Sequence, residues 1–477
     1  MKSSNKNRLC RAEPAPKTGI VHLGLGAFFR AHGAIYIKEA MEQSGGDWGV
    51  IGVSLRSPGV RNKLTDQGCL YTALELSDQG LKSQVVDVVT SVLVAPEDPY
   101  AVLQEMASEA TRIVSLTITE KGYCRGGEAT TLDFEHPDIK HDLQNIAPKS
   151  APGFLARALE MRWRQGLRPF TVLSLDNLPS NGQVTGQIVR EFAAQIDPDL
   201  ASWIETECRF PCTMVDRIVP AATEELIDRA SSTTGYFDAA VVAHEPFRQW
   251  VIEDDFVDST RPDFEAAGAE LVHDVAPFEH MKLRMLNGTH SALAYIGSLA
   301  GYKTVAEAIR DEGIEKFIEA LWREEIAASV DAPPDTDLND YAARLKSRYQ
   351  NAEIRHLLEQ ISMDGSQKLP QRILAPLFEN LAAGKPHQRL LVVLAAWFRF
   401  IEIRSKNGQS GLNDPMEKQL LHSASNASND ADLVERLLLV TTVFEDLPTD
   451  RIAGALVAIL GRLGRFRDTA RLEGNRQ

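Results

Sequence analysis

Four polar side chains within one short, otherwise apolar stretch have the types and spacing that proton transfer requires. Residues 277–291 read PFEHMKLRMLNGTHS and contain Glu279, Lys282, Asn287 and His290. On an α-helix, which turns by about 100° per residue, these four lie within about 140° of one another and share a face. Because burial lowers the pKa of a lysine, Lys282 is a candidate base for a secondary alcohol, and the Asn287 amide could hold the developing alkoxide or carbonyl oxygen. Spacing alone also fits an amphipathic helix whose polar face is only solvated.

Gly288 and the absence of metal-ligand motifs refine this interpretation. A glycine in a helix costs about 1 kcal/mol relative to alanine, so Gly288 predicts close approach by another backbone or by a ligand. The sequence contains neither His-Glu-x-x-His nor Tyr-x-x-x-Lys, and Cys208 and Cys212 have no second ligand pair nearby. We therefore expect no metal site and no base of the Tyr-Lys type.

A glycine-rich turn near the start of the chain predicts a nucleotide site. The apolar residues 20–23 lead into Gly24-Leu25-Gly26 and then into a helical pattern, which is the strand–turn–helix order of a βαβ unit. The first glycine permits the tight turn, and the second lets backbone N–H groups approach a pyrophosphate. The third fingerprint position is Phe29, so we expect the helix to lie farther from the strand than usual. An ordinary glycine turn is the alternative.

The end of the second predicted strand bears on whether the cofactor has a hydroxyl or a phosphate at the 2′ position of its adenosine ribose. Residues 48–55 form that strand, and the segment from Ser54 to Ser57 offers no Asp or Glu to the ribose hydroxyls. Arg56 could face a 2′-phosphate, or it could be a solvated arginine in a turn. The choice between NAD and NADP therefore stays open on this segment.

The elements that must position these residues divide the chain in two. Strand-like runs alternate with helical stretches at first, and after residue 274 helical periodicity dominates. We expect an α/β fold with a Rossmann-type, doubly wound NAD-binding domain over residues 1–273 and a mostly α-helical substrate-binding and catalytic domain over residues 274–477. The polar residues 176–182 follow the strand at 170–174, at the edge where such sheets bind ligands; an Asx-rich helix cap is the alternative.

Composition narrows the partners and the compartment. The 477 residues carry 51 Lys and Arg against 66 Asp and Glu, a formal charge of −15, which disfavours bulk capture of nucleic acid or a membrane. Five scattered cysteines and an N-terminus without an apolar signal segment favour a reduced, cytoplasmic protein. The longest apolar run, residues 390–398, is about half of a membrane span and predicts a buried helix. We expect small-molecule partners and a monomer or homodimer.

Six motifs, in order along the chain, resemble those of the mannitol dehydrogenase family of long-chain polyol dehydrogenases. They are residues 24–32 (GLGAFFRAH), 115–123 (SLTITEKGY), 176–182 (DNLPSNG), 214–218 (MVDRI), 245–250 (EPFRQW) and 282–291 (KLRMLNGTHS). The resemblance implies a metal-independent NAD(H) oxidoreductase with an N-terminal Rossmann domain, a helical C-terminal domain and the active site between them. It implies that Lys282 is the general base in oxidation and the general acid in reduction, while Asn177 and Asn287 polarise the reacting oxygen.

Further roles follow from the same resemblance. His290 would bind and orient the substrate, Glu279 would help move the proton between the lysine and solvent, and Asp216 would support the site. The residue before Glu279 is Phe278 where the family has Tyr, so a phenolic role there is lost. The residues expected to contact the cofactor NAD are Gly24, Gly26, Ala27, Phe28, Arg30, Ser54, Arg56, Thr117, Glu120 and Lys121.

Two stretches bear on the substrate. Residues 209–220 (RFPCTMVDRIVP) and 363–372 (MDGSQKLPQR) are similar to family members that interconvert D-mannonate and D-fructuronate. Lys368 and Arg372, four residues apart, could present two cations to the carboxylate of a sugar acid if the segment is helical. Pro370 between them favours a helix start or a loop, and both could instead be surface charges. D-mannitol with D-fructose, or another hexuronate such as tagaturonate, are the alternative substrates.

Overall fold

The computed structural model describes residues 8–126, 130–406, 411–444 and 447–463. The chain forms two compact units, residues 1–276 and residues 277–477. The first unit contains the described strands and nine of the described α-helices, and the second is built from helices.

The strands of the first unit are β1 (Thr18–Leu23), β2 (Gly49–Ser54), β3 (Tyr71–Ser77), β4 (Gly80–Val86), β5 (Val89–Val94), β6 (Ile113–Leu116), β7 (Thr171–Ser174), β8 (Thr213–Asp216), β9 (Val242–His244), β10 (Gln249–Glu253) and β11 (Glu270–Val272). Its helices are α1 (Ala27–Ala31), α2 (Gly33–Ser44), α3 (Gly59–Thr65), α4 (Pro99–Ala107), α5 (Pro137–Gln144), α6 (Ala151–Gln165), α7 (Asn181–Ile196), α8 (Pro198–Glu207) and α9 (Glu224–Thr234), with short 3₁₀ turns at Glu120–Tyr123 and Val257–Ser259.

Five of these strands form one parallel sheet in the order β5-β2-β1-β6-β7. Every residue of β2, β6 and β7 is buried, as expected for strands covered by helices on both faces. The chain runs outward from β1 in one direction through β2 and β5, then returns to the other side through β6 and β7. The strand order therefore reverses beside β1, and open α/β sheets bind their ligands at the carboxyl ends of the strands at such a point.

Two smaller sheets complete the first unit. In one, β3 pairs with β4 antiparallel and with β9 parallel. In the other, β10 pairs with β8 antiparallel and with β11 parallel. The second of these sheets fixes Asp216 at the end of β8, opposite Gln249 in β10.

The helices of the second unit follow α10 (Ala276–Met281) at the boundary between the units. They are α11 (Gly288–Leu299), α12 (Val305–Ile309), α13 (Glu312–Ala320), α14 (Leu338–Gln350), α15 (Leu358–Ile361), α16 (Gly365–Leu369), α17 (Ala375–Ala382), α18 (Gln388–Lys406), α19 (Glu417–Ser425), α20 (Asp430–Leu438), α21 (Thr441–Phe444) and α22 (Asp450–Leu463). Three π-helical turns, Lys282–Asn287, Leu321–Ile326 and Pro370–Leu374, and a 3₁₀ turn, Ala327–Ser329, lie among them.

The core of the second unit surrounds α11 and α18. Most of α18 between Leu390 and Ile401 is buried, so the buried helix predicted from the apolar run is confirmed. The described residues include no helix that is both long and apolar enough to span a membrane. With a Rossmann-type parallel sheet in the first unit and helices in the second, the predicted fold class is confirmed.

Candidate cofactor and catalytic residues

The turn after β1 can be made only by glycine at its first position. Gly24 has φ +92°, and a Cβ on it would lie 2.2 Å from the carbonyl oxygen of Thr117. Its backbone N–H donates to the carbonyl of Val53 at 2.9 Å, which ties the turn to β2. The tight turn that the sequence predicts is therefore present, packed directly against the end of β6.

Gly26 serves a different purpose, because its backbone is open. Its φ is −82°, and the nearest atom to a Cβ there would be the Gly24 carbonyl oxygen at 3.7 Å. Neither strain nor crowding inside the protein requires glycine at this position. The open face lies at the start of α1, at the carboxyl edge of the sheet, and it fits the approach of a pyrophosphate to backbone N–H groups.

Phe29, at the third position of the fingerprint, is fully buried and stacks on the imidazole of His22 in β1. The ring centroids are 3.5 Å apart and the planes meet at 11°. The close helix packing usually allowed by the third glycine occurs instead at Gly33, where a Cβ would lie 2.9 Å from the Phe29 ring and 3.0 Å from Leu175. The aromatic ring thus fills the space between α1 and the strand.

His22 holds the glycine turn through a buried hydrogen-bond network. Its Nδ1 lies 2.8 Å from Ser115 Oγ and its Nε2 lies 2.9 Å from Thr117 Oγ1. The Thr117 hydroxyl donates to the Gly24 carbonyl at 2.6 Å, so Nε2 must be the protonated nitrogen of His22. Burial lowers the pKa of His22 to about 3, opposed by its bond to the Gly24 carbonyl. The imidazole is therefore neutral at physiological pH.

The remaining cofactor candidates fall into two groups. Ser54 is buried at the end of β2, and Thr117, Glu120 and Lys121 follow β6, so these four lie at the carboxyl edge of the sheet. Arg56 is exposed just beyond β2 and makes no hydrogen bond or ion pair with the described residues.

Arg30 is placed differently from what the sequence suggested. Its side chain is buried, its guanidinium donates to the Ala240 carbonyl, and it lies 5.4 Å from the centre of the Tyr71 ring. The residue therefore braces α1 against β3 and β9 and does not present its charge to a dinucleotide. Ala27 and Phe28 are half-buried, and the Phe28 ring packs on His32 with centroids 5.1 Å apart.

Asn177 and Asp216 lie at the carboxyl ends of β7 and β8. Asn177 is exposed and Asp216 is buried. Sequence reasoning passed over Asp176, whose buried carboxylate accepts hydrogen bonds from the N–H groups of Ile118 and Thr119 and from the hydroxyl of Tyr123. The signal available in the sequence was an acidic residue directly after a buried strand.

In the second unit, Lys282 opens a π-helical turn that runs to Asn287. The Met285 carbonyl accepts hydrogen bonds from the Trp322 indole at 3.0 Å and from the Thr289 hydroxyl at 2.5 Å. The Leu286 carbonyl accepts from the Tyr349 hydroxyl at 3.1 Å. Side chains thus satisfy the backbone where the turn widens. The helical projection at 100° per residue is therefore wrong across residues 282–287, because a π turn has hydrogen bonds between residues i and i+5 and does not rotate by 100° per residue.

His290 lies in α11, in a buried and strongly cationic setting. Its ring centroid is 4.9 Å from that of His356, and its Nε2 has no hydrogen-bond partner among the described residues. Burial lowers the pKa of His290 well below its usual value, and His356, Arg348, Arg372 and Lys282 lower it further. The result is a neutral imidazole with an unpartnered nitrogen close to three cations. Lys282 is itself buried, whereas Glu279 and Asn287 are half-buried.

Gly288 brings Arg372 against the turn that contains Lys282. A Cβ on Gly288 would lie 3.1 Å from the Arg372 carbonyl oxygen, which confirms the close backbone approach predicted for this glycine. The Arg372 guanidinium lies 3.5 Å from both the Asn287 carbonyl and the Ser291 hydroxyl. Arg372 is therefore fixed beside the predicted catalytic residues of this unit.

Lys368 is engaged elsewhere in the same segment. Its amine donates to the Met363 carbonyl at 2.6 Å and lies 3.5 Å from that of Ile361, and burial followed by the Arg372 charge lowers its pKa. The expectation that Pro370 favours a helix start or a loop is wrong. Helix α16, the π turn from Pro370 and α17 follow one another without a break, because the widened turn accommodates a residue that has no N–H to donate.

A parallel sheet with a glycine turn at its switch point, followed by a helical unit with a buried lysine, defines the class of dinucleotide-dependent oxidoreductases. Within the described residues, no group of three or more His, Cys, Asp and Glu side chains is arranged to hold a metal. The chain belongs to the mannitol dehydrogenase family. The family's Rossmann domain matches residues 18–266 and its C-terminal domain matches residues 274–461.

Curated relatives carry two kinds of name. D-mannonate oxidoreductase of Escherichia coli is 43% identical over 93% of this chain and 93% of its own length. Mannitol 2-dehydrogenase of Aspergillus terreus is 40% identical over 92% of this chain and 88% of its own. Both names are those of oxidoreductases and differ in the substrate. The family and the NAD complex described next confirm the predicted NAD-dependent oxidoreductase.

Solved structures give the same family. A substrate-free D-sorbitol dehydrogenase has a TM-score of 0.88 and 31% identity, covering 96% of this chain and 95% of its own. The complex of Pseudomonas fluorescens mannitol 2-dehydrogenase with NAD and D-mannitol has a TM-score of 0.80 and 36% identity, covering 96% of this chain and 94% of its own.

Proposed function

We propose that the protein interconverts D-mannonate and D-fructuronate by hydride transfer with NAD, using Lys282 as the acid and base. The observation that carries the sugar acid is the group of arginines near His290, namely Arg348 and Arg372, whose charges add to burial in lowering the pKa of that imidazole. A carboxylate gains charge-assisted hydrogen bonds from such a group, whereas a neutral polyol does not. The local charge matters because the whole chain carries a formal charge of −15, which repels an anionic substrate.

In the direction of oxidation, Lys282 removes the proton of the substrate hydroxyl. NAD, when bound, would accept the hydride from the carbon that carries this hydroxyl, and NADH would return it in reduction. Lys282 is buried, and its amine accepts this proton in the neutral form and returns it as the ammonium in reduction. Half-buried Glu279 then passes the proton to solvent.

The oxygen is polarised by amides, and the sugar is oriented by an imidazole. Asn287, which ends the π turn, and Asn177, which follows β7, donate amide N–H groups to the reacting oxygen. His290 uses its unpartnered Nε2 for a hydroxyl of the sugar chain. Since its pKa lies well below the usual value, it does so as a neutral ring.

Arg372 receives the carboxylate in this proposal, and Lys368 fixes the segment that carries it. The Lys368 amine is held by the Met363 carbonyl at 2.6 Å. The Arg372 guanidinium lies against the Asn287 carbonyl at 3.5 Å. An arginine is also the better partner for a planar carboxylate, because its N–H groups form a rigid fork.

The test of the chemistry is single-turnover hydride transfer from NADH to D-fructuronate in Lys282→Ala. The rate constant should fall by about a thousandfold or more, while NADH affinity stays within about twofold of wild type. Fluorescence titration with NADH checks the second condition. Normal turnover by this variant would refute the role of Lys282.

The test of the substrate compares Arg372→Met with Arg310→Met under NADH oxidation. Arg310 is an exposed arginine of the same unit that donates to the Gln350 carbonyl, so it controls for loss of charge. Arg372→Met should raise the KM for D-fructuronate by about tenfold to a hundredfold. Arg310→Met should leave that KM unchanged.

A neutral polyol is the second candidate, favoured by relatives named mannitol 2-dehydrogenase at 40% identity. Initial rates with D-fructuronate, tagaturonate and D-fructose distinguish the candidates. Comparable kcat/KM for D-fructose, with no effect of Arg372→Met, would replace the sugar acid by the polyol pair D-mannitol and D-fructose. A preference for tagaturonate would retain the carboxylate argument and change only the sugar.

A further inference from the structure

Asp176 joins two loops at the carboxyl edge of the main sheet. Its carboxylate accepts hydrogen bonds from the Ile118 N–H at 3.0 Å, the Thr119 N–H at 2.9 Å and the Tyr123 hydroxyl at 2.8 Å. Tyr123 is itself buried and its hydroxyl also lies 2.6 Å from Ser174 Oγ. The loop after β6 is therefore held by a residue that follows β7.

The loop that Asp176 holds is under backbone strain. Thr119 has φ +66° and ψ 162°, a region that is essentially confined to glycine. A β-branched residue persists there only if its surroundings hold it. The carboxylate of Asp176 accepts from the N–H groups of Thr119 and of the residue before it, so it acts at the strained position. The same loop contains Thr117, Glu120 and Lys121, which were predicted to contact NAD.

The same residue also fixes the backbone on both sides of Asn177. The Asp176 carbonyl accepts hydrogen bonds from the Asn181 amide at 3.0 Å and from the Leu178 N–H at 2.9 Å. Asn181 is fully buried, and Leu178 is buried in the core of the first unit. Asn177 is thus an exposed side chain between two anchored neighbours.

We propose that Asp176 is a positioning residue that sets the loop of residues 117–123 and Asn177 in one fixed relation. Its side chain holds the loop predicted to contact the cofactor, and its main chain presents the amide that polarises the reacting oxygen. The proposal rests on the proposed function through the role of Asn177. It adds that one acidic residue organises the cofactor loop and this amide together.

The test uses Asp176→Asn with Asp142→Asn as the matched control. Asp142 is also a buried carboxylate of the first unit, and it also accepts from two backbone N–H groups, those of Lys149 and Ser150, and from one hydroxyl, that of Ser150. It lies in α5, where His141 Nδ1 is also 2.9 Å from its carboxylate, and it belongs to none of the loops at the carboxyl edge of the main sheet. An amide at either position must present an NH₂ group where one backbone N–H now donates.

Hydrogen exchange of the peptide containing residues 118 and 119 is the first readout, because it does not depend on the reaction. Exchange there should accelerate by about tenfold or more in Asp176→Asn and stay at the wild-type rate in Asp142→Asn. Conversely, the peptide containing Lys149 and Ser150 should accelerate only in Asp142→Asn. Equal protection of residues 118–119 in wild type and Asp176→Asn would overturn the proposal.

Hydride transfer at saturating NADH is the second readout. Asp176→Asn should lower the single-turnover rate constant by about tenfold or more, and Asp142→Asn should leave it unchanged. Asn177→Ala should lower this rate without changing exchange at residues 118–119, which separates the hydrogen bonds of the Asp176 carboxylate from the chemistry.

Should Asp176→Asn fail to fold, Tyr123→Phe removes one hydrogen-bond donor to the Asp176 carboxylate and must show the same two effects more weakly. An unchanged rate in the folded variants would refute the positioning role, whereas an active Lys282→Ala would refute the proposed function and leave the exchange result standing.

Discussion

Gly24 and Gly26 are both fingerprint glycines, but the structure predicts opposite consequences of replacing them with alanine. Gly24 has φ +92°, and its Cβ would lie 2.2 Å from a backbone carbonyl oxygen, that of Thr117. Gly26 has φ −82° and nothing nearer than 3.7 Å. Gly24→Ala should therefore damage the fold, and Gly26→Ala should damage only the binding of the cofactor.

The size of each effect follows from these distances. A side chain at a positive φ costs about 1–3 kcal/mol, and overpacking against a backbone atom that cannot rotate away adds about 1–3 kcal/mol. Gly24→Ala should therefore lower the free energy of unfolding by about 4 kcal/mol, which corresponds to a fall in Tm of roughly 10 °C for a unit of this size. Gly26→Ala should change stability by less than about 1 kcal/mol.

Calorimetry and NADH titration of the two variants check the reasoning. Because the methyl group of Gly26→Ala would occupy the space where backbone N–H groups meet a pyrophosphate, the Kd for NADH should rise by about tenfold or more, a loss of about 1.4 kcal/mol. A stable Gly24→Ala, or a Gly26→Ala that binds NADH as tightly as wild type, would refute the assignment of turn and contact to these two positions.

Two further predictions concern the second glycine contact and acid stability. Gly288→Ala should change the free energy of unfolding by less than about 1 kcal/mol, because the higher helix propensity of alanine offsets the cost of a 3.1 Å contact with the Arg372 carbonyl. Because that contact should shift Arg372, the KM for a sugar acid should rise by about threefold or more in steady-state assays. Burial first of all lowers the pKa of His22, His32 and His244 to about 3. In the unfolded chain these imidazoles titrate near pH 6.5, so their contribution to stability is complete above about pH 6.5 and is lost as the pH falls towards about 3. Urea unfolding should therefore show that the free energy of unfolding falls by about 1 kcal/mol per histidine between about pH 7.5 and pH 5.5. An unchanged free energy of unfolding over this range would contradict the prediction.

Local patterns in the sequence predict the parts of the site that depend on local geometry. The alternation of strands and helices placed Gly24, Ser54, Thr117 and Asn177 at or just beyond the ends of four different strands. Because the carboxyl ends of parallel strands meet at one edge of a sheet, their shared location follows from the fold class alone. Gly288 likewise predicted a close contact, because glycine in a helix lowers stability relative to alanine and is favoured where a side chain would not fit.

Contacts between residues distant in sequence decide the rest. The groups that donate hydrogen bonds to the Asp176 carboxylate lie 53 to 58 residues earlier in the chain. The sequence around Asp176 therefore does not show that its carboxylate holds another loop. The carbonyl that accepts from Arg30 lies 210 residues later, and it draws the guanidinium into the core. In both residues the charge was visible in the sequence, but its partner was not.

The π turns show why a regular helical projection misses the arrangement around Lys282. In an α-helix the carbonyls of residues 282–287 would each accept from an N–H four residues later, but the π turn alters that pattern and makes them available to side chains. The Asn287 carbonyl accepts from the Ser291 hydroxyl at 3.2 Å and lies 3.5 Å from the Arg372 guanidinium. The third π turn, which begins at Pro370, carries that arginine. The irregularity that defeats the projection is therefore the feature that holds a cation beside the proposed acid and base.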